Sequence, residues 1–403
     1  MHKVTFNYFC YYYISIFVGY YLSTGFCEVC NGRINIVIAV EFNSIKKKYR
    51  NNEVLRDITF KINQNEFTIL FGEPGCGKSV ILRLLTGIEK PDSGYIKIRG
   101  ENISNKPVSE INIGYIPQSF ALYPHYSVYD NIAYPLKLVK ASKEEIDKSL
   151  SKIAKMLRID HLLNKKPDQL SGGEKQRVAI ARGLVKKTDI FVFDDPLAGL
   201  DFKLREQLID DLREMQRLIS STFIYATSDP LETLMLAQNV LVIHEGRIVD
   251  QGPLEEVYKN ANHIKSFEIL DFPRSNIING RLEKLNDRVY CTTEIFKIPV
   301  DIFNIEDINE SNEVFIGIRP GDISPAEKEE GNMVSFSAKV ILSEDLGAEL
   351  LLHLESNGIK LMSILRHEDE NLIKSNIQNF VIKNDEIKIY SRQFGMLIGQ
   401  GGI

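Results

Sequence analysis

Short apolar runs alternate with stretches of helical periodicity along the first two thirds of the chain. The run Phe67–Phe71 ends at Gly72 and has the length and composition of a buried strand. Similar runs predict strands at Ile36–Phe42, Asp189–Phe193, Thr222–Tyr225 and Val240–Ile243. Helical spacing of apolar positions predicts helices at Ser79–Leu85, Glu144–Leu157, Glu174–Leu184 and Leu204–Ile219. This alternation favours an α/β fold, in which helices cover both faces of a mostly parallel sheet.

The pattern changes after Phe272. Segments become short, strand-like and separated by turns, with candidate strands at Val314–Ile318, Ser335–Leu342, Leu350–Leu354 and Glu386–Tyr390. Such a series predicts a separate small all-β domain, of which a barrel is one form. Pro273 and the polar run Arg274–Asn276 mark the boundary. We therefore expect an extension over residues 1–35 and domains over 36–272 and 273–403.

The N-terminal extension has a composition of its own. Between Val4 and Cys27 it contains no charged residue and many tyrosines and phenylalanines. The stretch is long enough to span a bilayer, but tyrosine prefers the membrane interface, and the marks of a signal peptide are not clear. We favour an extension outside the working fold over a membrane anchor or a cleaved signal. Cys27 and Cys30 form one pair, whereas a structural zinc site needs four ligands.

The overall composition narrows the class of protein. The chain has 403 residues, of which 44% are hydrophobic and 26% charged. These are globular proportions, which argue against a disordered chain, a collagen-like chain or a many-span membrane protein. The net charge of -5 gives no basic excess, so nucleic acid is not expected as a partner. Five cysteines do not form a disulfide framework, which favours a reducing cytosol.

Candidate chemistry is concentrated in a glycine-rich loop. The segment Gly72-Glu73-Pro74-Gly75-Cys76-Gly77-Lys78-Ser79 lies between a predicted strand and a predicted helix and matches the phosphate-loop pattern. Its glycines allow backbone N–H groups to converge on phosphate oxygens, and the helix adds its positive N-terminal end. We expect Lys78 to neutralise the β- and γ-phosphates and Ser79 to offer its hydroxyl to Mg²⁺. Cys76 is counted among the nucleotide-binding residues of this loop; its side chain is expected to serve as a small loop residue, and thiol sensitivity is the alternative.

Two carboxylates follow the predicted strand at 189–193. At the C-terminal edge of a strand near a phosphate loop, Asp194 is placed to hold Mg²⁺. The next acidic group, Asp195, is placed to polarise an attacking water. Together with the glycine-rich loop, these residues predict a magnesium-dependent nucleoside triphosphate site.

A second motif carries a family resemblance. The segment Leu170-Ser171-Gly172-Gly173-Glu174-Lys175-Gln176-Arg177 resembles the signature of ATP-binding-cassette (ABC) ATPases, which a generic phosphate-loop kinase or GTPase lacks. Ser171 and the two glycines begin a predicted helix, so a hydroxyl, N–H groups and a positive helix end form a second phosphate site. The resemblance implies a P-loop ABC domain with a helical subdomain, and ATP and Mg²⁺ as cofactors. It also implies a dimer, in which the signature closes over ATP held by the other subunit.

Three further positions match that family. Tyr49 resembles the aromatic residue that stacks on adenine, and Gln118 resembles the glutamine that senses Mg²⁺ and moves with the transporter. Asp201, in Ala198-Gly199-Leu200-Asp201, resembles part of the loop that crosses the dimer interface. The resemblance therefore assigns ATP-binding roles to Tyr49 and Asp201, and a metal-binding and catalytic role to Gln118.

Other stretches resemble the maltose-type sugar-importer ATPases. Phe120–His125 and Asn131–Leu136 lie in the cassette, whereas Gly317–Pro320 and Leu346–Glu349 resemble the OB-like regulatory domain of those ATPases. The resemblance implies a peripheral subunit on the cytoplasmic face of the cell membrane. That subunit would drive uptake of a sugar or glycerol-phosphate-type solute through a separate integral membrane permease. The region Gln118–Pro135 is the expected permease contact.

Two residues depart from the family. It places a water-activating glutamate where Asp195 stands, and a histidine that bridges to the γ-phosphate where Ser228 stands. Asp195 is one methylene shorter than glutamate, and serine cannot carry a positive charge. We therefore expect slow hydrolysis at the catalytic group of Lys78, Gln118, Asp195 and Ser228. The partner subunit would be either a second copy of this chain or a relative that keeps both family residues.

Two other functions stay open. A non-hydrolysing regulatory nucleotide-binding subunit of a heterodimeric transporter would account for Asp195 and Ser228. A soluble cassette protein that acts on DNA or ribosomes is disfavoured, since such proteins typically carry two cassettes in one chain or a long coiled-coil insertion.

Overall fold

The structure is a computed structural model that describes residues 37–286, 288–303, 312–325, 332–373 and 375–402. The extension at 1–35 and the pair Cys27 and Cys30 lie outside the described residues. The described chain separates into two units, one ending at Lys259 and one beginning at Asn260. Within the described ranges, no helix is both long enough and apolar enough to cross a membrane.

The first unit contains two sheets. Its strands are β1 (Ile38–Tyr49), β2 (Asn52–Asn63), β3 (Phe67–Phe71), β4 (Ser93–Ile98), β5 (Glu101–Asn102), β6 (Gly114–Ile116), β7 (Ile190–Asp194), β8 (Thr222–Thr227), β9 (Asn239–His244) and β10 (Arg247–Pro253). The central sheet has the order β10-β9-β3-β8-β7-β6, and only the pair β9 and β10 is antiparallel. The second sheet, β2-β1-β4-β5, is antiparallel. The strand expected at Ile36–Phe42 lies in β1, but the sheet as such was not predicted, although Ile58, Phe60 and Ile62 alternate with polar residues along β2.

Burial explains why the central strands were predicted well. All five residues of β3 and all five of β7 are buried. Inner strands of a parallel sheet have helices over both faces and are therefore apolar throughout, which makes them conspicuous in a sequence. The pairing aligns Phe71 with Thr227 and Asp194 with Ala226. The carboxyl ends of β3, β7 and β8 consequently lie at one edge of the sheet.

Seven helices of the first unit lie among the described residues. They are α1 (Lys78–Leu85), α2 (Val128–Leu138), α3 (Lys143–Met156), α4 (Gly172–Leu184), α5 (Phe202–Ile219), α6 (Pro230–Leu236) and α7 (Leu254–Lys259). Ser142 and Ser171 begin α3 and α4 with capping boxes, which fix these helix starts locally. Helix α2 was not predicted because Pro135 lies inside it, and proline usually ends a helix.

The second unit is a small barrel beside a sheet. Its elements are α8 (Ile264–Ile269), β11 (Asn276–Leu285), β12 (Arg288–Thr292), β13 (Lys297–Ile302), β14 (Glu313–Ile318), β15 (Ser324–Pro325), β16 (Met333–Asp345), β17 (Glu349–Ser356), β18 (Ile359–Arg366), β19 (Ile377–Lys383), β20 (Lys388–Ser391) and β21 (Leu397–Gly401). Strands β11-β12-β13-β21-β20-β14 close a barrel, and β15-β19-β16-β17-β18 form an open sheet. The expected fold class, an α/β domain followed by a small OB-like β domain, is confirmed.

The unit boundary differs from the expected one at 272. Residues 260–272 pack with the β unit, since the ring of Phe267 lies 5.7 Å from that of Tyr390 and the Tyr390 hydroxyl donates to Ala261 O at 3.2 Å. These buried aromatic contacts attach α8 to the barrel. Proline at 273 marked the start of a strand region, and the sequence offered no sign that the preceding helix belongs with it.

A buried ion pair holds α4 against α5 in the first unit. Arg177 on α4 pairs with Asp211 on α5, and their side chains are 10% and 5% exposed. Arg177 Nη1 also donates to Leu157 O, just after α3, at 3.2 Å. One guanidinium thus connects three helical segments.

Replacement of Asp211 by alanine should destabilise the first unit strongly. It leaves the Arg177 charge buried and without its carboxylate, which typically costs about 3–5 kcal/mol of unfolding free energy. Asp210→Ala is the matched control, because Asp210 is exposed on the same helix, and its effect should stay within about 0.5 kcal/mol. Chemical denaturation of both variants measures the difference, and equal stabilities would contradict a structural role for the pair.

Candidate active site

Four parallel strands deliver part of the predicted site to one edge of the central sheet, whereas Tyr49, Ser171–Glu174 and Asp201 lie on other elements. Strand β3 leads into the loop 72–79, and β6 leads to Gln118. Strand β7 ends at Asp194, and β8 ends at Thr227, directly before Ser228. Since these strands are adjacent and parallel, the structure brings together residues that are far apart in the sequence.

The glycine-rich loop encloses the ammonium group of Lys78. Gly75 and Gly77 have φ angles of 84° and 113°, which favour glycine. A Cβ atom on Gly77 would also lie 2.7 Å from Leu55 Cδ2. Lys78 is 9% exposed, and its Nζ donates to Gly72 O at 2.5 Å and to Glu73 O at 3.0 Å. The loop therefore presents a positive charge and the N-terminus of α1 at the same point.

Cys76 lies in the same loop and is buried. Burial raises the pKa of its thiol, and the nearby positive charge of Lys78 opposes that rise. The thiol is therefore protonated at neutral pH, which agrees with its expected role as a small loop residue.

Ser79 and Asp194 form a pair of oxygen donors. Ser79 Oγ donates to Asp194 Oδ1 at 2.8 Å, and the Tyr115 hydroxyl donates to Asp194 Oδ2 at 3.2 Å. Burial, with a further contribution from Asp194, raises the pKa of Tyr115 to about 12, so this donor stays protonated. Tyr115 was not predicted, because a single tyrosine on a short strand carries no motif.

This pair fits magnesium. Within the described ranges, no group of three His, Cys, Asp or Glu side chains is arranged to hold a metal by itself. Magnesium at phosphate sites usually takes one or two carboxylates and completes its shell with phosphate oxygens and water. A serine hydroxyl beside a single carboxylate, next to a phosphate loop, is the donor set that such a site needs.

Asp195 faces Gln118. Gln118 Nε2 donates to Asp195 Oδ2 at 3.4 Å, and the Asp195 backbone is left-handed with φ 47°, a conformation that aspartate tolerates better than most residues. Burial raises the pKa of the Asp195 carboxyl. Lys78 and Arg205 oppose the rise, whereas Asp194 and Asp229 add to it. A carboxylate with a raised pKa beside the phosphate loop is suited to accept a proton from water.

Ser228 lies exposed on the turn between β8 and α6. The residues on either side of it are tightly bonded. Thr227 Oγ1 donates to Glu232 Oε2 at 2.7 Å, and Asp229 Oδ2 accepts from Arg205 Nη1 at 2.6 Å. Arg205 and Glu232 were not predicted as part of the site, because they lie outside the recognisable motifs.

Tyr49 is held by two charged side chains. It ends β1 with 39% of its surface exposed, and its hydroxyl donates to Glu89. Arg83 Nε donates to the other Glu89 oxygen at 2.6 Å. These contacts restrain the ring, and Lys47 Nζ lies 5.5 Å from its centroid. Glu89 was also not predicted, since it stands in an ordinary helix-to-turn segment.

The signature residues lie at the start of α4. Ser171 and Gly172 are exposed, and Glu174 accepts from Ser171 N at 2.7 Å. This backbone hydrogen bond lowers the pKa of Glu174. A Cβ atom on Gly173 would overlap Leu204 Cδ2, so a larger residue here would have to displace the Leu204 side chain between α4 and α5. Asp201 caps the same helix α5 by accepting from Leu204 N at 3.1 Å.

Fold and site together define an ATPase of the phosphate-loop class, with a signature turn at the start of a separate helix. The ABC transporter family matches residues 55–198 of the chain. The sn-glycerol-3-phosphate import ATP-binding protein UgpC of Psychromonas ingrahamii is 35% identical over 332 residues, which cover 82% of this chain and 85% of that protein. The chain belongs to the ABC transporter family, as an ATP-binding subunit of the ABC ATPase type.

Two more proteins show how far this likeness extends. The molybdate/tungstate import ATP-binding protein WtpC of Pyrococcus horikoshii is 36% identical over 332 residues, covering 81% of this chain and 91% of that protein. The solved structure of cbiO1 from Clostridium perfringens, part of the ABC transporter complex cbiONQ, is similar with a TM-score of 0.51 and 32% identity. It covers 55% of this chain and 90% of its own.

Glu232 should make the stability of the first unit depend on pH. Burial, with a smaller contribution from Asp229, raises the pKa of Glu232 from 4.5 to about 7, although Thr227, Tyr225 and Arg205 oppose the rise. The folded chain thus retains a proton that the unfolded chain loses, and the associated stability disappears as pH rises from about 4.5 to about 7. Denaturant titrations should show wild type losing stability relative to Glu232→Gln across this window.

The exposed carboxylate Glu214 on α5 provides the control. Glu214→Gln should follow wild type at every pH. A stability difference between wild type and Glu232→Gln that is constant with pH would contradict the raised pKa.

Proposed function

We propose that the chain binds magnesium-ATP through its phosphate loop and hydrolyses it slowly, and that this hydrolysis drives solute import through a separate permease. The observation that carries the proposal is the convergence of Lys78, Ser79 and Asp194 at the carboxyl edge of the parallel sheet. It joins a buried ammonium, a helix N-terminus and a pair of oxygen donors. A triphosphate with its counter-ion requires these three elements.

The ATP-binding roles follow from the positions of the side chains. Lys78 and the backbone N–H groups of the loop bind the β- and γ-phosphates, and Tyr49 stacks on the adenine with its ring restrained by Glu89. Stacking of a base on an aromatic ring is worth about 1–3 kcal/mol. Ser79 and Asp194 would hold Mg²⁺, and Gln118 completes the set. Bound magnesium supplies positive charge that neutralises the phosphate oxygens.

The hydrolytic roles belong to Asp195 and the turn at 227–229. Asp195 accepts a proton from water as the water oxygen bonds to the γ-phosphorus. The bond to the oxygen bridging the β- and γ-phosphates then breaks, and ADP and phosphate are left. Ser228 can donate one hydrogen bond to the γ-phosphate but adds no positive charge. A shorter carboxylate and an uncharged turn support slow turnover.

A complete site needs two chains. The sequence holds one phosphate loop and one signature. Ser171 and Gly172 are exposed, so the hydroxyl and the start of α4 are available to a nucleotide held by another subunit. ATP binding would close this dimer and hydrolysis would reopen it. The partner is a second copy of this chain or a related subunit with glutamate and histidine at the departing positions.

The permease is proposed to contact the segment that follows Gln118. Tyr123 and Tyr126 are 40% and 41% exposed, and the ring of Tyr134 lies 4.8 Å from that of Tyr123. Arg182 lies over the Tyr123 ring at 5.6 Å. Exposed aromatic and arginine side chains are typical anchors of protein interfaces. The subunit would therefore sit at the cytoplasmic face of the cell membrane.

A sugar or glycerol-phosphate-type solute is the proposed cargo. The glycerol-phosphate relative and the resemblance of Tyr123–His125 and of the β unit to sugar importers support it. The molybdate/tungstate relative is equally similar, so the cargo is set by parts other than this chain. A regulatory subunit that binds ATP without turnover is the second candidate, and Asp195 and Ser228 favour it.

Removal of the Lys78 ammonium tests nucleotide binding. Hydrogen bonds to charged groups contribute about 1.5–3 kcal/mol, so Lys78→Ala should weaken ATP binding about 10- to 100-fold. Titration with a fluorescent ATP analogue, with magnesium and with EDTA, measures the loss. Lys61→Ala, an exposed lysine on β2, should bind as wild type does. The proposal is abandoned if wild type shows no saturable, magnesium-dependent binding or if Lys78→Ala binds equally well.

Replacement of Asp195 by glutamate, which is one methylene longer, tests whether side-chain reach limits the rate of hydrolysis. Misplacement by about an ångström can cost ~100-fold in rate, so Asp195→Glu should raise ATP turnover at least severalfold if reach is limiting. Asp194→Glu carries the same change at the adjacent metal position and should lower turnover. Thermal denaturation of Asp195→Glu checks that the left-handed backbone tolerates glutamate.

The ATP turnover rates of the wild-type chain, alone and mixed with a related subunit, distinguish the proposed assemblies and the regulatory candidate. Fast turnover by the purified chain alone would rule out the slow site. Slow turnover that rises on mixing with a related subunit would support the heterodimer. Binding of ATP without any turnover, alone or mixed, would support the regulatory candidate.

A further inference from the structure

Arg205 on α5 connects three parts of the site. Its Nη1 donates to Asp229 Oδ2 at 2.6 Å, on the turn that carries Ser228. Its Nη2 donates to Leu200 O at 3.5 Å, in the loop 198–201. Its Nε lies 3.9 Å from Glu232 Oε1. One guanidinium thus bridges the loop proposed to face the partner subunit and the turn proposed to face the γ-phosphate.

Glu232 is the buried end of this network. It is 2% exposed, and its Oε2 accepts from the Tyr225 hydroxyl at 2.8 Å and from Thr227 Oγ1 at 2.7 Å. Its Oε1 faces Arg205. The charged and titratable groups that face Glu232 are therefore Arg205 on α5, Tyr225 on β8 and Asp229 before α6.

One atom of the network has no hydrogen bond. Arg205 Nε is buried and makes none to any described residue, although Glu232 Oε1 lies 3.9 Å away. A buried donor without an acceptor destabilises the folded state, and a movement of about 1 Å would pair Arg205 Nε with this carboxylate. The geometry suits two arrangements, in which Glu232 is either neutral and apart or ionised and bonded to Arg205.

We propose that Arg205 and Glu232 form a positioning pair, which ties the loop 198–201 to the turn 227–229 and thereby sets the rate of ATP hydrolysis. This inference rests on the proposed function, because it needs a nucleotide bound next to Asp195. In this proposal the pair does not contact the phosphates or the attacking water. It acts by holding Asp229, and through it Ser228, in the place that hydrolysis requires.

The direction of the effect follows from charge. When Glu232 is ionised, Arg205 has carboxylates at both Nη1 and Nε, so its plane is fixed and Nη2 remains directed at Leu200 O. When Glu232 is neutral, Arg205 keeps its hydrogen bonds to Asp229 and Leu200 O but lacks a carboxylate at Nε, so its plane is held less firmly. ATP hydrolysis is therefore faster when Glu232 is ionised.

The pH dependence of hydrolysis separates positioning from stability. Full-length protein in excess over radiolabelled ATP measures single turnovers even when they are slow. Between pH 6 and pH 8 a group with a pKa of about 7 goes from about one-tenth to about nine-tenths ionised. The wild-type turnover rate should rise by up to about tenfold relative to Glu232→Gln over this range, while ATP affinity stays equal.

Arg205→Lys gives a second measure. Lysine can pair with Asp229 but cannot also bridge to Leu200 O and Glu232 in a plane. Its turnover rate at pH 8 should fall about tenfold with unchanged ATP affinity, as expected for loss of a supporting partner. Its profile should lose the rise near pH 7. Glu214→Gln, exposed on the same helix, should keep the wild-type rate and profile.

Each outcome is decisive. Wild type that binds ATP, with a pH profile equal to that of Glu232→Gln, would overturn the positioning pair and leave the proposed function intact. Arg205→Lys with the wild-type rate would do the same. Wild type that binds ATP and never hydrolyses it would overturn both the positioning pair and the hydrolytic part of the proposed function, and would leave ATP binding intact. Failure of wild type to bind magnesium-ATP would instead overturn the proposed function.

Discussion

The strands β3, β8, β7 and β6 run parallel, and this pairing brings the loops that follow them to one edge of the sheet. The loop after β3 presents the ammonium of Lys78, and the end of β7 presents the carboxylate of Asp194. A positive and a negative group can remain close and buried here because each is hydrogen-bonded, Lys78 by loop carbonyls and Asp194 by Ser79 and Tyr115. Every other part of the site is arranged around this pair of charges.

The helical part of the first unit is joined to the sheet part through α5. Gly173 allows α4 to approach Leu204 closely, and Arg177 pairs with Asp211 farther along the same helix. Helix α5 begins at Phe202, directly after its capping residue Asp201, and carries Arg205 in its first turn. A displacement of α5 would therefore move the signature at the start of α4, the loop 198–201 that precedes α5, and the turn at Ser228. Packed elements of this kind transmit small displacements because protein interiors compress little.

The sequence predicted the elements that are apolar throughout or strongly periodic. Strand β3 was predicted with its observed bounds, and α5 began within two residues of the predicted start. Contiguous motifs located Lys78, Ser79 and Ser171, because loops that bind phosphate need several residues in fixed order. In the antiparallel sheet of β1, β2, β4 and β5, part of β1 was predicted and the other strands were missed, since alternating strands give a weaker signal than buried ones.

Single polar residues that act through tertiary contacts were also missed. Tyr115 meets Asp194 only because β6 and β7 are neighbours, and Arg205 meets Asp229 only because α5 and α6 are. Nothing near either residue in the sequence shows its partner. The same reason explains the boundary at 259, because the attachment of α8 to the barrel depends on contacts of Phe267 with Tyr390, which lies more than a hundred positions later in the sequence.

The two residues that depart from the family are both assigned to hydrolysis in our proposal, and neither is assigned to nucleotide binding. Lys78, Ser79, Asp194 and Tyr49 serve binding in our proposal, and each has the residue type and the contacts that binding requires. Asp195 and Ser228 serve hydrolysis, and both are shorter or less charged than the family residues. Their surroundings are nevertheless those of a working site. Asp195 accepts from Gln118 and has a raised pKa, and the turn at Ser228 is anchored on both sides. Because this carboxylate is held in place and able to take a proton, our proposal is slow hydrolysis over none, with the shorter reach of Asp195 as the proposed limit.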